Sequence, residues 1–497
     1  MLAAPIVYCQ KLFSLCIVYP FDLAAILALK FPFELKKDQE EAIDAWLQND
    51  CHGSVVFSTG TGKTEIAFEC ARQCAIRRLQ ADRHKQDQLT QEQQYKQMYE
   101  GANNRLSSQA SADLSSAAKK EGNEDVKKHE RTFKILFLVP RIVLIAQNIS
   151  RLLKYRISEN AIGVYYGERK DVREITISTY QSIINRLELL READMVILDE
   201  IHFISETAIQ FEKIFDVIIE NPSRAILGLT ATIDEKDPKY HTIMIVAPPI
   251  KKYMIKDAVT DGRVAQPEII PIKVNFTMDE QKIYDETSFK IKEISYKLKA
   301  FDPIKISAIL KSARVGYRAA LARDWFANVQ KRKRLLTATN SKLNEAIKIV
   351  KEHHKERIMI FSETISSIDK LKQMLENNGI ASRTIHNSIK AKKRTEILQS
   401  WGKEYFPLLS VHTLEIGYDI PDVRIAIIIA STANINQISQ RIGRVIRKTA
   451  KKNIALIYII YVNDTNEGKI LKIAKSAIYK SGGDSNREVQ RELVLEE

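Results

Sequence analysis

Ser58-Thr59-Gly60-Thr61-Gly62-Lys63-Thr64 is the stretch whose reading decides the fold. The run that leads into it, Gly53–Ser58, is short and apolar, and a helical pattern follows Lys63. A glycine-rich loop between a strand and a helix is the setting of a phosphate-binding loop. The glycines let backbone N–H groups approach phosphate oxygens, and the helix N-terminus adds positive potential. Lys63 would hold the β- and γ-phosphates, and Thr64 would offer its hydroxyl to Mg2+. Phe57 stands where the general form of the loop has a further glycine, which leaves the shorter Thr-Gly-x-Gly-Lys-Thr form.

Two further stretches carry chemistry. Asp194-Met195-Val196-Ile197-Leu198 runs into Asp199-Glu200-Ile201-His202. An apolar strand that ends in two acids places them at the carboxyl edge of a sheet, where the phosphate-binding loop also sits. Asp199 would bind magnesium and Glu200 would polarise the attacking water as a general base. A lone histidine such as His202 is often a satisfied polar side chain. In Gln437-Ile438-Ser439-Gln440-Arg441-Ile442-Gly443-Arg444-Val445-Ile446-Arg447, helical spacing puts Gln440, Arg444 and Arg447 at i, i+4 and i+7, on one face. Arginines so placed can stabilise the charge that develops on a γ-phosphoryl group in transit.

Around these stretches, short β-branched runs alternate with helical ones. The first set of strand-like runs is Gly53–Ser58, Lys134–Val139, Glu174–Ser178, Asp194–Leu198 and Arg224–Leu229. The second is Arg357–Phe361, Ser382–Ile385, Leu408–Val411, Arg424–Ile429 and Ile454–Val462. Continuous apolar runs suit strands covered on both faces, so the pattern predicts two parallel α/β domains of similar build. Between them, about Met278 to Leu336, lies a charged helical stretch with Arg314, Tyr317, Arg318, Arg323, Trp325, Phe326 and the run Lys331-Arg332-Lys333-Arg334.

The 497 residues are 45% hydrophobic and 28% charged, enough for a full core and long enough for two or three domains. With Gly 17 and Pro 13, a collagenous or wholly low-complexity chain is excluded. A net charge of +14 favours a polyanionic partner, nucleic acid before membrane. Cys9, Cys16, Cys51, Cys70 and Cys74 are scattered and form no Cys-x-x-Cys pair, which argues against a disulfide framework, a zinc ribbon or an iron–sulfur cluster and for an intracellular protein. Cys70 and Cys74, four apart on a helix, read as core packing. The apolar start, Ala3 to Leu29, is broken by Gln10, Lys11, Pro20 and Asp22 and has no basic stretch before it. It reads as a packed N-terminal element rather than a signal peptide or a membrane span. From Leu79 to Arg131, polar residues dominate, as in a mobile insertion or a solvated helical excursion. The end of the chain, from Ser481, reads as a frayed tail.

Taken together, the motifs resemble those of a superfamily 2 helicase of the DExH type, over roughly Leu35 to Lys448. Leu229-Thr230-Ala231-Thr232 is similar to the motif whose hydroxyls couple nucleotide state to domain closure. Leu138-Val139-Pro140-Arg141 through Gln147, and Ser178-Thr179-Tyr180-Gln181-Ser182, resemble the strand-contact motifs of the first domain. Gln39, in Leu35-Lys36-Lys37-Asp38-Gln39, resembles the glutamine that reads adenine, although a single Gln at a helix start also has a plain local reading. Gly417-Tyr418-Asp419-Ile420-Pro421-Asp422 resembles the fifth motif, with Gly417 and Asp419 in the nucleotide cleft and Thr413 near the strand, and Ile358–Thr364 takes the fourth motif's place. By the same resemblance Gln440 would lie near His202 and the attacking water, and Arg444 and Arg447 would act as arginine fingers. Within the superfamily the wording is most similar to XPB-like helicases of archaeal type, through Phe33-Glu34-Leu35-Lys36-Lys37-Asp38-Gln39-Glu40-Glu41-Ala42, the Ser-Thr-Tyr motif and Leu227–Thr232. Asp234-Glu235-Lys236-Asp237 stands where that family carries an Arg-Glu-Asp triplet, and the stretch ahead of the loop is short for its damage-recognition domain.

The resemblance implies an α/β fold of two tandem RecA-like parallel-sheet domains with a helical thumb-like insertion. Its parts would be an N-terminal element (1–34), a first RecA-like domain (35–250) with a low-complexity insertion (79–131), an interdomain linker (251–277), the thumb-like segment (278–336), a second RecA-like domain (337–480) and a C-terminal tail (481–497). It also implies ATP, bound by Gln39, Ser58–Thr64, Gly417 and Asp419, with Mg2+ on Thr64 and Asp199. The activity implied is a DNA-dependent ATPase that moves 3′ to 5′ in repair or duplex opening. Its nucleic-acid contacts would be Arg141, Thr179, Tyr180, Thr364 and Thr413. A nuclease partner is implied too, with no membrane, no small-molecule substrate besides ATP, and a place in the cytoplasm, nucleoid or nucleus. The residues leave open a duplex translocase or annealing motor without processive unwinding, and a DExH RNA helicase. A non-catalytic nucleic-acid scaffold is disfavoured because Lys63, Asp199, Glu200, Arg444 and Arg447 are all present.

Overall fold

The computed structural model describes residues 24–107, 132–203, 212–233, 240–312, 315–386, 388–411, 422–430, 435–449 and 452–479. Eight strands form a first sheet: β1 (His52–Phe57), β2 (Ile135–Val139), β3 (Ile162–Tyr166), β4 (Arg169–Asp171), β5 (Ile175–Thr179), β6 (Met195–Asp199), β7 (Ala225–Thr230) and β8 (Pro249–Tyr253). Their order across the sheet is β4-β3-β5-β2-β6-β7-β1-β8. Every residue of β2, β5 and β7 is buried, as expected for strands covered on both faces. The strands that end in the glycine-rich loop and in Asp199 flank β7, which ends in Thr230.

A second sheet holds β9 (Gln266–Val274), β10 (Ile358–Ser362), β11 (Arg383–Ile385), β12 (Pro407–Val411), β13 (Ile425–Ile428) and β14 (Ile454–Val462) in the order β11-β12-β10-β13-β14-β9. All its pairings are parallel. Its core includes Leu343, Val350, Ile358, Ile360, Leu371 and Ile427. The ten strand-like runs read from the sequence all appear as strands. Four further strands give no such signal, and each has a physical reason for being quiet. β4 is a three-residue exposed edge strand, and β3, which pairs with it, is only partly buried. β8 is an edge strand with two lysines. β9 carries Pro267 and Pro271, which an edge strand tolerates because one side of its ladder needs no donors.

The stretch read as a linker, 251–277, is therefore ordered secondary structure. It contains the end of β8, a short helix at Ile255–Thr260 and β9, whose nine residues pair with β14. The chain divides into two compact units. One is drawn from Met1–His52, Thr64–Asp199 and Ile209–Leu227, and the other from Gly53–Lys63, Glu200–Ala208 and Gly228–Glu497.

In the first unit, helix α1 (Lys37–Gln48) is tied down by Trp46, whose indole N–H donates to the Ile226 carbonyl at 2.8 Å. Helix α2 runs from Lys63 to Ser107, so the polar stretch from Leu79 continues it, mostly exposed at its described side chains as far as Lys96, and 108–131 lie outside the described residues. Residues 1–23 and 480–497, which carry most of the apolar start and the whole tail, lie outside them as well. Cys51, Cys70 and Cys74 are buried free thiols. No described helix is long and apolar enough to cross a membrane.

In the second unit, the charged helical stretch forms α3 (Met278–Leu298), α4 (Pro303–Ser312) and α5 (Tyr317–Thr337) around Ile291, Ile294, Leu298, Ile306, Ala322 and Trp325. Arg314 lies outside the described residues. The base of these helices is fixed by Glu280, whose Oε2 accepts from Thr277 N–H at 3.1 Å and whose Oε1 accepts from Asn340 N–H at 2.9 Å. One carboxylate thus satisfies orphan donors at the starts of two helices, α3 and α6 (Asn340–Glu352).

Lys342, fully buried on α6, donates to the carbonyls of Leu336 and Ile429 at 2.8 and 3.1 Å and pairs with Glu467 at 2.6 Å. Burial pushes its ammonium below the usual lysine range. Removing Glu467 would strand a buried charge. Glu467→Ala is expected to lower the unfolding free energy by about 3–5 kcal/mol, with much of the loss recovered in Lys342→Met/Glu467→Leu, as measured by denaturant titration. Unchanged stability in the single variant would contradict this account of the pair.

Candidate nucleotide site

The loop after β1 has the backbone that its glycines allow. Gly60 and Gly62 hold φ at +88° and +91°, in the left-handed range that other residues rarely enter. The Thr61 hydroxyl donates to the Ser58 carbonyl at 2.7 Å, and Lys63 Nζ donates to the Phe57 carbonyl at 3.0 Å. Ser58 N–H donates to the Tyr253 carbonyl at 2.9 Å, which fixes the loop's first residue to β8. Ser58 Oγ is buried without a hydrogen-bond partner.

At the end of β6 the backbone turns sharply. Glu200 has φ +50°, an uncommon value for a residue with a side chain, and such strain concentrates at functional sites. His202 is buried, with Nδ1 2.7 Å from Thr230 Oγ1. Thr230 has one hydroxyl proton, and it goes to the Thr232 carbonyl at 2.7 Å. The Thr230 oxygen is thus the acceptor and His202 carries its proton on Nδ1. His202 Nε2 is then the acceptor for the Gln440 amide, 3.3 Å away. Glu200 Oε2 lies 3.3 Å from His202 Nδ1, but that proton is directed to Thr230, and the buried Glu200 oxygen has no hydrogen-bond partner among the described residues. A buried carboxylate oxygen without a donor is suited to take a proton from water.

Helix α7 (Ile435–Val445) carries Gln440, which reaches His202, and Arg444, and both side chains are buried. The expectation that Arg447 shares their helical face is corrected: the helix stops at Val445. The backbone beyond it is captured, with Ala265 N–H donating to the Ile446 carbonyl at 2.7 Å and Val264 forming an antiparallel bridge with Arg447. Arg447 nevertheless lies against the loop. A methyl group placed on Gly60 would sit 3.3 Å from Arg447 Cγ, and one on Gly443 would collide with Thr59. Arg441, earlier on the same helix, serves the fold instead. It is fully buried, donates to the Ala430 carbonyl at 3.0 Å and lies over the Phe361 ring.

In the first unit, the Thr64 hydroxyl oxygen accepts from Arg151 Nη1 at 2.6 Å. The next residue, Glu65, accepts from the Tyr155 hydroxyl at 3.0 Å; burial first, then the Glu65 charge, push Tyr155 up to about 12. Gln39 is buried, its Oε1 accepting from Lys36 N–H at 2.9 Å at the start of α1. Asp199 ends β6, and its carbonyl accepts from the Tyr180 hydroxyl at 2.9 Å.

The residues expected to contact a strand have these places in the fold. Tyr180, expected at the strand, is 1% exposed, and its hydroxyl donates to the Asp199 carbonyl. Thr179 is also buried and caps a helical turn through Ser182 N–H. Thr364 caps the helix at Ile365–Asn377 through Ser367 N–H, and Arg141 is exposed at the start of the helix at Ile142–Lys154. Thr413, Gly417 and Asp419 lie outside the described residues, as does 234–237. Sequence reasoning misses Arg263, whose Nη2 donates to the Thr61 carbonyl at 2.9 Å from a stretch that carries no local motif. It misses Gly443 and Arg151 for the same reason, since only the tertiary fold brings them to Thr59 and Thr64.

Comparison with known proteins finds two helicase families in the chain. Residues 36–240 match the DEAD/DEAH box helicase family and residues 341–449 match the helicase conserved C-terminal domain. The chain is 24% identical over 447 residues to the DNA 3'-5' translocase XPB2 of Sulfurisphaera tokodaii, covering 88% of this chain and 83% of that one. It is 24% identical over 344 residues to the DNA 3'-5' helicase XPB of Mycobacterium tuberculosis, covering 66% of this chain and 53% of that one. In three dimensions it resembles S. cerevisiae Dbp5 bound to RNA and ADP BeF3, with a TM-score of 0.52 at 13% identity over 93% of both chains, a likeness of fold alone. With a phosphate-binding loop packed on an arginine-bearing helix and both helicase domains matched, the chain is an ATP-hydrolysing superfamily 2 helicase of XPB-like type.

Proposed function

We propose that this chain is an ATP-driven DNA motor that moves 3′ to 5′, as its XPB relatives are named to do, and that it serves duplex opening or repair. The observation that carries the reading is the contact of Thr59-Gly60 with Gly443 and Arg447 inside one compact unit. A triphosphate entering Ser58–Thr64 would draw the Lys63 ammonium from the Phe57 carbonyl to the phosphates and meet Arg447 on the other side. Glu200 Oε2, buried and lacking a donor among the described residues, is suited to accept a proton from the attacking water. Gln440 and His202 link that carboxylate's neighbourhood to the arginine helix, and the Thr230 hydroxyl holds the imidazole tautomer.

Thr64 and Asp199 offer oxygen donors, the kind magnesium takes, and would hold Mg2+. The Arg151 hydrogen bond engages one lone pair of Thr64 Oγ1 and leaves the other. Magnesium, when bound, would neutralise charge that builds on the phosphate oxygens.

Hydrolysis removes the group that Lys63 and the arginines would share, so the nucleotide state biases how tightly the loop and helix α7 are held together. That bias becomes movement if the closed and open states grip a strand differently. The net charge of +14 suits binding through the phosphate backbone, which is insensitive to sequence and weakens steeply with salt.

ATPase stimulation and strand displacement with 3′- and 5′-tailed duplexes test the reading. DNA should stimulate turnover, and displacement should require a 3′ tail; strong stimulation by RNA with none by DNA would overturn the DNA assignment. Glu200→Gln should retain ATP binding by filter assay while turnover falls below detection, and Arg447→Ala should lose roughly 10³-fold in turnover. Normal rates in either would remove the assigned role. Gly443→Ala should slow turnover about tenfold or more, because the methyl displaces Thr59; a rate within twofold of the parent would show that the contact is dispensable.

A further inference from the structure

The turn at Asp261–Ala265, in the stretch that reads as a linker, grips the phosphate-binding loop and the Arg447 segment at once. The short helix Ile255–Thr260 ends with Gly262 at φ +63°, where Arg263 N–H donates to the Ala258 carbonyl at 2.8 Å. A left-handed glycine past a helix end is what lets the chain reverse there. The turn is anchored below by Tyr253, whose hydroxyl donates to Asp261 Oδ2 at 2.8 Å. Tyr253 is the residue whose carbonyl holds Ser58 N–H, and its ring lies 5.1 Å from that of Phe57.

Three contacts then reach the other side. Ala265 N–H donates to the Ile446 carbonyl, Val264 bridges Arg447, and Lys448 Nζ donates to the Gly262 carbonyl at 2.8 Å. In the middle of this clasp, the half-buried Arg263 donates from Nη2 to the Thr61 carbonyl at 2.9 Å. All these residues belong to one compact unit.

We propose that Arg263 is a positioning residue of the ATPase, acting through the Thr61–Gly62 peptide and through Arg447. The Thr61 carbonyl and the Gly62 N–H belong to one peptide group. A charge-assisted hydrogen bond to the carbonyl polarises that group and strengthens its N–H as a donor to phosphate. The same bond fixes the peptide's orientation, and preorganised donors stabilise transition-state charge because they need not reorient during reaction. Through Val264, one residue on, the position of Arg447 is set relative to the same peptide. This inference rests on the reading of Ser58–Thr64 as the ATP-binding loop.

Steady-state ATPase assays on Arg263→Ala, Arg263→Lys and Arg447→Ala, and on the Arg263→Ala/Arg447→Ala double variant, decide the matter, with Lys63→Ala as control. Arg263→Ala should lower kcat about 10–100-fold with KM for ATP within about threefold and an unchanged melting temperature. Arg263→Lys, which keeps one charged donor, should recover much of the loss. The double variant should be slower than Arg447→Ala, but by clearly less than the factor Arg263→Ala costs in the parent, since the part of the effect that passes through Arg447 is already lost. A kcat within twofold of the parent in Arg263→Ala, no recovery with lysine, or losses that multiply in the double variant would each overturn the proposal. If Lys63→Ala stays active, the ATP-loop reading itself fails; if Lys63→Ala is dead while Arg263→Ala is normal, only this inference fails.

Discussion

The close approach of Thr59-Gly60 to Gly443 and Arg447 is the constraint on which the rest of the site depends. It needs a loop with two left-handed glycines, because only that backbone turns tightly enough after β1. It also needs a residue without a side chain at 443, because any Cβ there meets Thr59. Given that contact, an anion in the loop necessarily lies near an arginine. The arginine in turn is held by backbone pairing with Val264 rather than by a helical turn.

The polar groups behind this contact are arranged so that few alternatives remain. Thr230 spends its single proton on the Thr232 carbonyl, which forces the His202 tautomer and turns Nε2 toward the Gln440 amide. Glu200 is left with a buried oxygen that no donor among the described residues satisfies, held on a strained backbone. Lys342 with Glu467, and Glu280 with two helix starts, do comparable work away from the site by fixing α6 and the helical stretch to the second sheet. Buried charge is costly unless paired, so these groups define one arrangement rather than simply adding stability.

Much of this was legible in the sequence because its signals are local. The loop, the two acids at the end of β6 and ten apolar runs each declare themselves within a few residues, and the second, parallel sheet and the first, parallel but for its β3–β4 edge pair, follow from them. What was hidden depends on pairing at a distance. β9 carries two prolines and sits in an apparent linker, yet its nine residues complete the edge of the second sheet. Arg447 continues a helical spacing in sequence, but Val264 and Ala265 capture the backbone and end the helix first. Tyr180 sits in a motif associated with strand contact, and only the fold shows its burial and its bond to the Asp199 carbonyl. Arg263 has no sequence signature at all, because its meaning comes only from the turn that delivers it to Thr61.

The most direct measurement is a structure of the active enzyme with a non-hydrolysable ATP analogue, read for the separation between the Arg447 guanidinium and the terminal phosphoryl oxygens. A nucleotide gripped between the loop and the Arg447 segment predicts hydrogen-bond distance, about 3 Å. A guanidinium beyond about 6 Å, in an enzyme shown to be competent under the same conditions, would contradict it.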